Sequence, residues 1–199
     1  HEQLGPETLR AYFDAMVKSI RGSAGLLENL LYWARTELGT VEEKPELIHL
    51  AGLTRTALER SVGVAEAKGV RYEEAFSEEL SFFGDPQLLS IVLRNLVSNG
   101  IKFTGSGGAV SLSAERTDGG LRLEVTDTGV GMSPEQISGV FDIGIHESRP
   151  GTEKEPGHGL GLPLCHELVI SRGGTLEIQS ELGQGTRVAV WLPESQSDG

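Results

Sequence analysis

The spacing of hydrophobic and polar positions changes near Pro45. Residues 9 to 38 carry apolar side chains at heptad spacing, which predicts one long helix that packs in a bundle. Beyond Pro45, short alternating segments are interleaved with helical stretches, which predicts a domain of mixed helices and strands. The last residues are polar. We therefore expect a helix in residues 1–44, an α/β domain in 45–193 and a disordered tail in 194–199.

Within the α/β domain, turn and cap residues mark where each element begins or ends. Asp85 followed by Pro86 predicts the start of the most regular helix. Ser133 followed by Pro134 predicts a second, short helix start, and TDGG at 117–120 predicts a tight hairpin. The other predicted elements are a short helix at 48–69, a helix from about Leu160, and strands at 70–76, 80–83, 108–116, 121–127, 175–180 and 186–193.

Composition and charge narrow the classes of function. A chain of 199 residues with 38% hydrophobic content can bury one sizeable core and a small appendage. The formal net charge of -12 disfavours nucleic acid and anionic membranes as partners. We find no run of about twenty apolar residues that could span a bilayer. The single cysteine, Cys165, fits a reducing compartment, so we expect a cytoplasmic location.

Asp127 is a charged residue at a position where burial is costly. In LRLEVTD the two-residue alternation gives Asp127 the same parity as Leu121, Leu123 and Val125, so its carboxylate points toward the core. A buried carboxylate needs hydrogen-bond donors. Two interpretations remain open: a turn aspartate that accepts from the amides of Gly129 and its neighbours, or an acceptor for a bound ligand.

A polar stripe follows the most regular helix. Asn95, Asn99 and Lys102 lie four and then three residues apart, so they share one flank of that helix. Asparagine is a poor helix former, which makes two of them at this spacing unusual. The stripe offers amide oxygens and a positive charge to a ligand, although a solvated helix face would have the same spacing.

The segment GHGLGL at 157–162 has glycine at every second position, Gly157, Gly159 and Gly161, just before a helix. Glycine lets a ligand approach the backbone, and a helix N-terminus favours an anion such as phosphate. A flexible hinge has the same composition. Neither the Walker pattern nor the dinucleotide fingerprint is present.

Four motifs in this order resemble one known family. N-x-x-x-N-x-x-K, DTGVGM, GHGLGL and GQGT together resemble the ATP-binding fold that sensor histidine kinases share with DNA gyrase, MutL-type proteins and the ninety-kilodalton heat-shock chaperone. The resemblance covers residues 47 to 193. It implies a two-layer α/β sandwich, in which a mixed sheet packs on helices and ATP lies between helices and sheet under a mobile lid.

The resemblance also implies a role for each motif. Asp127 is expected to accept from the exocyclic amine of adenine, with Gly129 and Gly131 shaping the pocket. Asn99 is expected to bind Mg²⁺, while Asn95 and Lys102 face the phosphates and act in catalysis. Residues 142–159 correspond to the lid. The remaining expected contacts are the phosphate-covering turn of Gly157, His158, Gly159, Leu160 and Gly161, and a far wall of Gly183, Gly185 and Thr186.

The position of Asn95 bears on the branch of the family. The ATP-hydrolysing branches resemble one another in carrying a glutamate there, and an amide is a poor general base. Residues 9 to 38 resemble the second helix of the dimerisation and phosphoacceptor hairpin of histidine kinases. The sequence therefore predicts a histidine kinase that transfers the γ-phosphoryl group of Mg-ATP to a histidine, for relay to a response regulator.

The same comparison predicts what the chain lacks and what it binds. We expect a homodimer through the N-terminal helix, and a longer parent protein that supplies the phosphoacceptor histidine. His1 with Glu2 and Pro6 resembles the phosphoacceptor motif only superficially. Two alternatives remain: a protein-serine kinase of the anti-sigma type, and an ATP-binding scaffold without catalysis.

Overall fold

The chain divides into two compact units, His1–Val41 and Glu42–Gly199. In the first unit Leu27, Leu31, Tyr32 and Ala34 are helical, and the amide of Leu38 donates to the carbonyl of Ala34 at 3.0 Å. The computed structural model describes residues 27, 31, 32, 34, 38, 45–142, 150–153, 155 and 159–195. Most of the predicted lid, including Gly157 and His158, lies outside the described residues.

The second unit is built on a five-stranded sheet. Its strands are β2 Arg71–Ala75, β4 Ala109–Thr117, β5 Gly120–Asp127, β6 Thr175–Glu181 and β7 Gly185–Pro193. Their order in the sheet is β2-β4-β5-β7-β6. β2 runs parallel to β4, and the other neighbouring strands are antiparallel, so the sheet is mixed as expected. The β4–β5 hairpin turns through Asp118 and Gly119, and Gly119 has a φ of 76°, as the TDGG sequence predicted.

Helices cover one face of this sheet. They are α1 Leu50–Lys68, α2 Pro86–Phe103, α3 Pro134–Ser138 and α4 Gly161–Ser171. α2 packs against β4 and β5, α4 packs against β6 and β7, and α1 packs against β2 and α2. The arrangement confirms the predicted two-layer sandwich. Among the described residues, no helix is long and apolar enough to cross a membrane.

Both predicted helix starts are confirmed by their caps. Oδ1 of Asp85 accepts from the amides of Gln87 at 2.8 Å and Leu88 at 3.2 Å. Ser133 forms a capping box with Gln136, in which each side chain accepts from the other residue's backbone amide. These local hydrogen bonds satisfy amides that have no partner within the helix.

The region before α1 differs from the prediction. A helix was expected from residue 48, whereas β1, Glu46–His49, pairs with β3, Ser81–Gly84, in a separate two-stranded sheet. Ile48 and its register partner Phe82 are both buried. The helix begins only at Leu50, whose amide donates to the carbonyl of Leu80, and it runs for 19 residues rather than being short. Pairing with a distant strand thus overrides the local helical pattern.

The core lies between the sheet and α2, and it follows the two-residue alternation of β5. Leu121, Leu123 and Val125 are buried, while Arg122 is exposed on the opposite face. Asp127 continues the buried series at the end of the strand. The predicted inward direction of its carboxylate is therefore confirmed.

Candidate active site

Asp127 is the last residue of β5 and is only 8% exposed. Its Oδ1 accepts from the backbone amides of Gly129 at 2.8 Å and Thr186 at 3.2 Å. Its other oxygen, Oδ2, receives no hydrogen bond from the described residues. The carboxylate is therefore held in place by one oxygen and offers the other as an acceptor.

Burial has an electrostatic consequence for this carboxylate. Desolvation raises the pKa of Asp127 above its usual range, and the hydrogen bonds from Gly129 and Thr186 oppose that rise. Two amide donors offset only part of the cost of removing a negative charge from water. A ligand that donates a hydrogen bond to Oδ2 would stabilise the ionised form.

The turn after Asp127 is held between two other parts of the fold. The amide of Val130 donates to the carbonyl of Phe103, the last residue of α2, and the carbonyl of Val130 accepts from Gly183 at 2.8 Å. Gly131 has a φ of 65°, and a Cβ there would collide with the carbonyl of Glu181. A Cβ at Gly129 would collide with the carbonyl of Phe103. Both glycines are thus required by close backbone approach.

Thr186 lies opposite Asp127 in the β5–β7 register. Its Oγ1 shares a hydrogen bond of 2.9 Å with Oγ of Ser180, which also donates to the carbonyl of Gly185 and accepts from the amide of Met132. Ser180 therefore joins β6, β7 and the turn after Asp127. Ser180 was not among the site residues predicted from the sequence. Its only signal is its register with Thr186 across the β6–β7 pair.

Asn95 and Asn99 are half-buried on α2, where the first turn of α4 approaches them. A Cβ built on Gly161 would lie 2.9 Å from Oδ1 of Asn95 and 3.9 Å from Nδ2 of Asn99. The glycine-rich segment therefore reaches both amides of the polar stripe. On another face of the same helix, a Cβ added at Gly100 would lie 3.6 Å from the Cβ of Asp127. Asp127 and the asparagine pair are thus brought to one end of the domain.

The amide of Asn95 already has partners within the protein. Its Nδ2 donates to the carbonyl of Ile91 at 3.0 Å, and its side chain hydrogen-bonds to the thiol of Cys165. Burial raises the pKa of that thiol to about 12, although the bond to Asn95 opposes the rise. Cys165 is therefore a neutral neighbour of Asn95 rather than a reactive thiol.

Lys102, in the last turn of α2, is half-buried with its Nζ 4.8 Å from the centroid of the Phe103 ring. Desolvation lowers the pKa of Lys102; the negative charge of Glu155 raises it and the positive charge of Lys68 lowers it. Neither Lys68 nor Glu155 was among the site residues predicted from the sequence. They come from distant parts of the chain, and no local pattern joins them to the stripe.

The glycine-rich turn is described from Gly159 onward. Gly159 has a φ of 70°, which favours glycine, and Leu160 directly precedes α4. The ring of Phe141 stacks on the ring of His166, which lies in α4, with the two ring centroids 4.3 Å apart. No group of three His, Cys, Asp or Glu side chains is placed to hold a metal ion in the part of the chain that the structure describes. A cation here would depend on amide and ligand oxygens.

Comparison with known proteins identifies the domain. Residues 84–196 match the family of Histidine kinase-, DNA gyrase B-, and HSP90-like ATPases. The Non-motile and phage-resistance protein of Caulobacter vibrioides is 32% identical over 199 residues, covering 98% of this chain but only 24% of that protein. The Histidine protein kinase DivJ of the same bacterium is 42% identical over 116 residues, which are 58% of this chain and 19% of DivJ.

Solved structures agree with this assignment. Full-length ShkA in complex with AMPPNP has a TM-score of 0.74 and 30% identity, covering 99% of this chain and 41% of ShkA. The Acinetobacter baumannii histidine kinase AdeS has a TM-score of 0.73 at 15% identity, which shows the shared fold, and covers 98% of this chain and 87% of the AdeS chain. The chain belongs to the family of histidine kinase-, DNA gyrase B- and HSP90-like ATPases, and its catalytic domain is of the sensor histidine kinase type.

Proposed function

We propose that this chain binds Mg-ATP and transfers the γ-phosphoryl group to a histidine of a dimerisation hairpin, for relay to a response regulator. The observation that carries the proposal is the asymmetric environment of Asp127. Oδ1 is occupied by the amides of Gly129 and Thr186, and Oδ2 has no donor among the described residues. An exocyclic amine of adenine supplies such a donor.

The turn after Asp127 suits a flat base. Gly129 and Gly131 present backbone without side chains beside the carboxylate, and Thr186 faces it across the β5–β7 pair. A base that donates to Oδ2 would lie against this backbone. Guanine, with a carbonyl oxygen where adenine carries its amine, would place an acceptor against an acceptor.

The phosphates are proposed to be held by the polar stripe and by the glycine-rich turn. The stripe consists of Asn95, Asn99 and Lys102, and the turn consists of Gly157, His158, Gly159, Leu160 and Gly161. Asn99 would supply one amide oxygen to Mg²⁺, which prefers hard oxygen ligands and usually keeps several waters and phosphate oxygens. This donor set fits a metal that arrives with the nucleotide. When bound, the ion would neutralise charge on the phosphates.

Transfer is favoured over hydrolysis because, among the described residues, neither Asn95 nor Glu155 is a suitable base for water. Asn95 is an amide whose Nδ2 already donates to Ile91. The carboxylate of Glu155 is paired with Lys68, and its pKa lies below the usual range. In the proposed step the bond from the γ-phosphorus to the β,γ-bridging oxygen breaks, a bond to an imidazole nitrogen forms, and ADP leaves with the bridging oxygen.

The proposed organisation of the chain follows from this role. Residues 1–44 would belong to the dimerisation hairpin, 45–193 would form the ATP-binding domain, and 194–199 would be a tail. We propose a homodimer through the N-terminal helix, in the cytoplasm, that phosphorylates a receiver domain through the acceptor histidine.

Radiolabelled ATP tests the reaction. The chain is incubated with γ-labelled Mg-ATP and a separately expressed hairpin that carries the phosphoacceptor histidine, with and without a receiver domain. We expect label on the hairpin that is acid-labile and alkali-stable, and that moves to the receiver. A label with the reverse stability would instead support a serine kinase. Nucleotide binding with no label on any acceptor would support a scaffold.

A further inference from the structure

Lys68 is the last residue of α1, and its side chain is only 3% exposed. Its ammonium donates to the carbonyls of Ile101 and Lys102, both at 2.9 Å, and to Oε1 of Glu155 at 2.5 Å. An ammonium has three protons, so these three acceptors account for its full donor capacity.

Two of these acceptors are backbone carbonyls at the C-terminal end of α2. The last four carbonyls of a helix have no partner within it, and a positive charge there is favourable. Ile101 and Lys102 lie in the final turn of α2, the helix that also carries Asn95 and Asn99. Lys68 therefore fixes the position of the turn from which the side chain of Lys102 extends.

The third acceptor, Glu155, connects the same turn to residues 150–153. Besides the Lys68 contact, Glu155 accepts from the amide of Glu153 at 2.8 Å. Thr152 donates from its amide to the carbonyl of Lys102 at 3.1 Å and from its Oγ1 to the carbonyl of Thr104 at 3.0 Å. A Cβ on Gly151 would lie 2.6 Å from Cγ of Lys102, so this short segment packs directly on Lys102.

The charges make this contact specific. Desolvation is the largest single influence and would raise the pKa of Glu155. The hydrogen bond and positive charge of Lys68, together with the backbone hydrogen bonds of Glu153 and Glu155, lower the pKa below its usual range. Glu155 is also the negative charge that offsets the effect of burial and of Lys68 on Lys102. Loss of either member of a buried pair leaves the other charge uncompensated.

We propose that Lys68 is a positioning residue for nucleotide binding, which sets Lys102 together with residues 150–153 and Glu155 against the phosphates through its bonds to α2 and Glu155. The inference rests on the proposed function, because it assumes that Lys102 faces phosphates. A positioning role predicts a selective effect: triphosphate binding suffers, whereas contacts of the adenine at Asp127 do not.

The test measures dissociation constants of the full chain for Mg-AMPPNP by calorimetry and for adenosine by NMR titration. Lys68→Met is expected to raise the dissociation constant for Mg-AMPPNP about tenfold, which corresponds to about 1.4 kcal/mol. The dissociation constant for adenosine should change by less than about twofold. Arg116→Met is the matched control, because it removes an exposed ion pair with Glu194 that lies outside the proposed site. It should change neither constant.

Glu155→Gln provides a second, milder variant, because it keeps an acceptor for Lys68 and removes the charge. It should also lower the affinity for Mg-AMPPNP and leave the affinity for adenosine unchanged. The double variant should lose less affinity for Mg-AMPPNP than the product of the two single fold-changes. If Lys68→Met does not fold, Glu155→Gln decides alone. Equal losses for adenosine and Mg-AMPPNP, or no loss, would overturn the proposal. A wild-type chain that binds neither ligand would instead refute the proposed function.

Discussion

Asp127 shows how a single residue can be held by the fold and still be available to a ligand. The backbone amides of Gly129 and Thr186 fix Oδ1, which sets the direction of Oδ2. A side chain placed by two amides needs little reorganisation when a ligand arrives. The cost is a buried negative charge whose pKa is raised by desolvation.

Asp127→Asn should separate the anchoring of the side chain through Oδ1 from the role of Oδ2 as an acceptor for a ligand. The amide oxygen can still accept from Gly129 and Thr186, but an NH₂ group would replace Oδ2 and face the amine of adenine. We expect ATP affinity to fall at least about tenfold, since a hydrogen bond to a charged group contributes about 1.5–3 kcal/mol. Calorimetry with Mg-AMPPNP measures this. An unchanged dissociation constant would remove Asp127 from the base site.

The raised pKa gives the same variant a signature in pH. A carboxyl with a raised pKa stabilises the fold most below its unfolded pKa, and this contribution is lost as the pH rises through the folded pKa. Asp127→Asn should therefore unfold at a higher temperature than the wild type at neutral pH without nucleotide. ATP affinity of the wild type should fall on acidification at a pH above the usual aspartate range, whereas the variant should show no such step. Calorimetric titrations across pH 4–8 provide the check.

At the scale of elements, α2 links the two ends of the domain. It begins at the cap residue Asp85 and ends at Phe103, whose carbonyl accepts from Val130 in the turn after Asp127. Eighteen residues at about 1.5 Å per residue place these ends about 27 Å apart. Changes at the cap should therefore affect stability without touching the site.

Asp85→Ala tests this separation. Loss of the bonds to Gln87 and Leu88 should lower the free energy of unfolding by about 1 kcal/mol, with little change in affinity for Mg-AMPPNP. Asp85→Ser is the matched control, because serine can accept from the same amides. Chemical denaturation and calorimetry measure the two quantities. A large loss of affinity at full folding would contradict the proposed independence of the two ends.

At the scale of the whole molecule, the chain consists of two compact units. The second unit has a continuous core between sheet and helices. In the first unit Tyr32 is buried, but Leu27 and Leu31, one helical turn apart, are 58% and 49% exposed. Exposed leucines at this spacing are typical of a helix that packs against another helix.

The proposed homodimer can be tested on these leucines. Leu27→Lys combined with Leu31→Lys should shift the chain toward monomer in sedimentation experiments, because charge would replace apolar surface at the interface. Leu182→Lys is the control, since Leu182 is 60% exposed but lies in the second unit. A wild type that sediments as a monomer, or a control that dissociates equally, would contradict an interface on this helix.

Much of the second unit could be predicted because its signals act over a few residues. The caps at Asp85 and Ser133, the Asp118–Gly119 turn and the strand alternation concern neighbours within four positions. The same is true of the stripe of Asn95, Asn99 and Lys102. The family assignment followed from the order of these local motifs. The boundary at β1 was wrong, because four residues cannot distinguish a paired strand from a helix start.

Local patterns predicted that Asp127 points inward and that three polar residues share one flank of α2, and the resemblance of the motifs to a known family implied the α/β sandwich. The folded domain was needed to show which amides hold Asp127, that Ser180 joins three elements, and that Lys68 pairs with Glu155, 87 positions away. The difference lies in the range of each interaction. Helix and strand periodicity relate residues a few positions apart, whereas contacts between distant segments depend on strand register and packing, which the complete core sets.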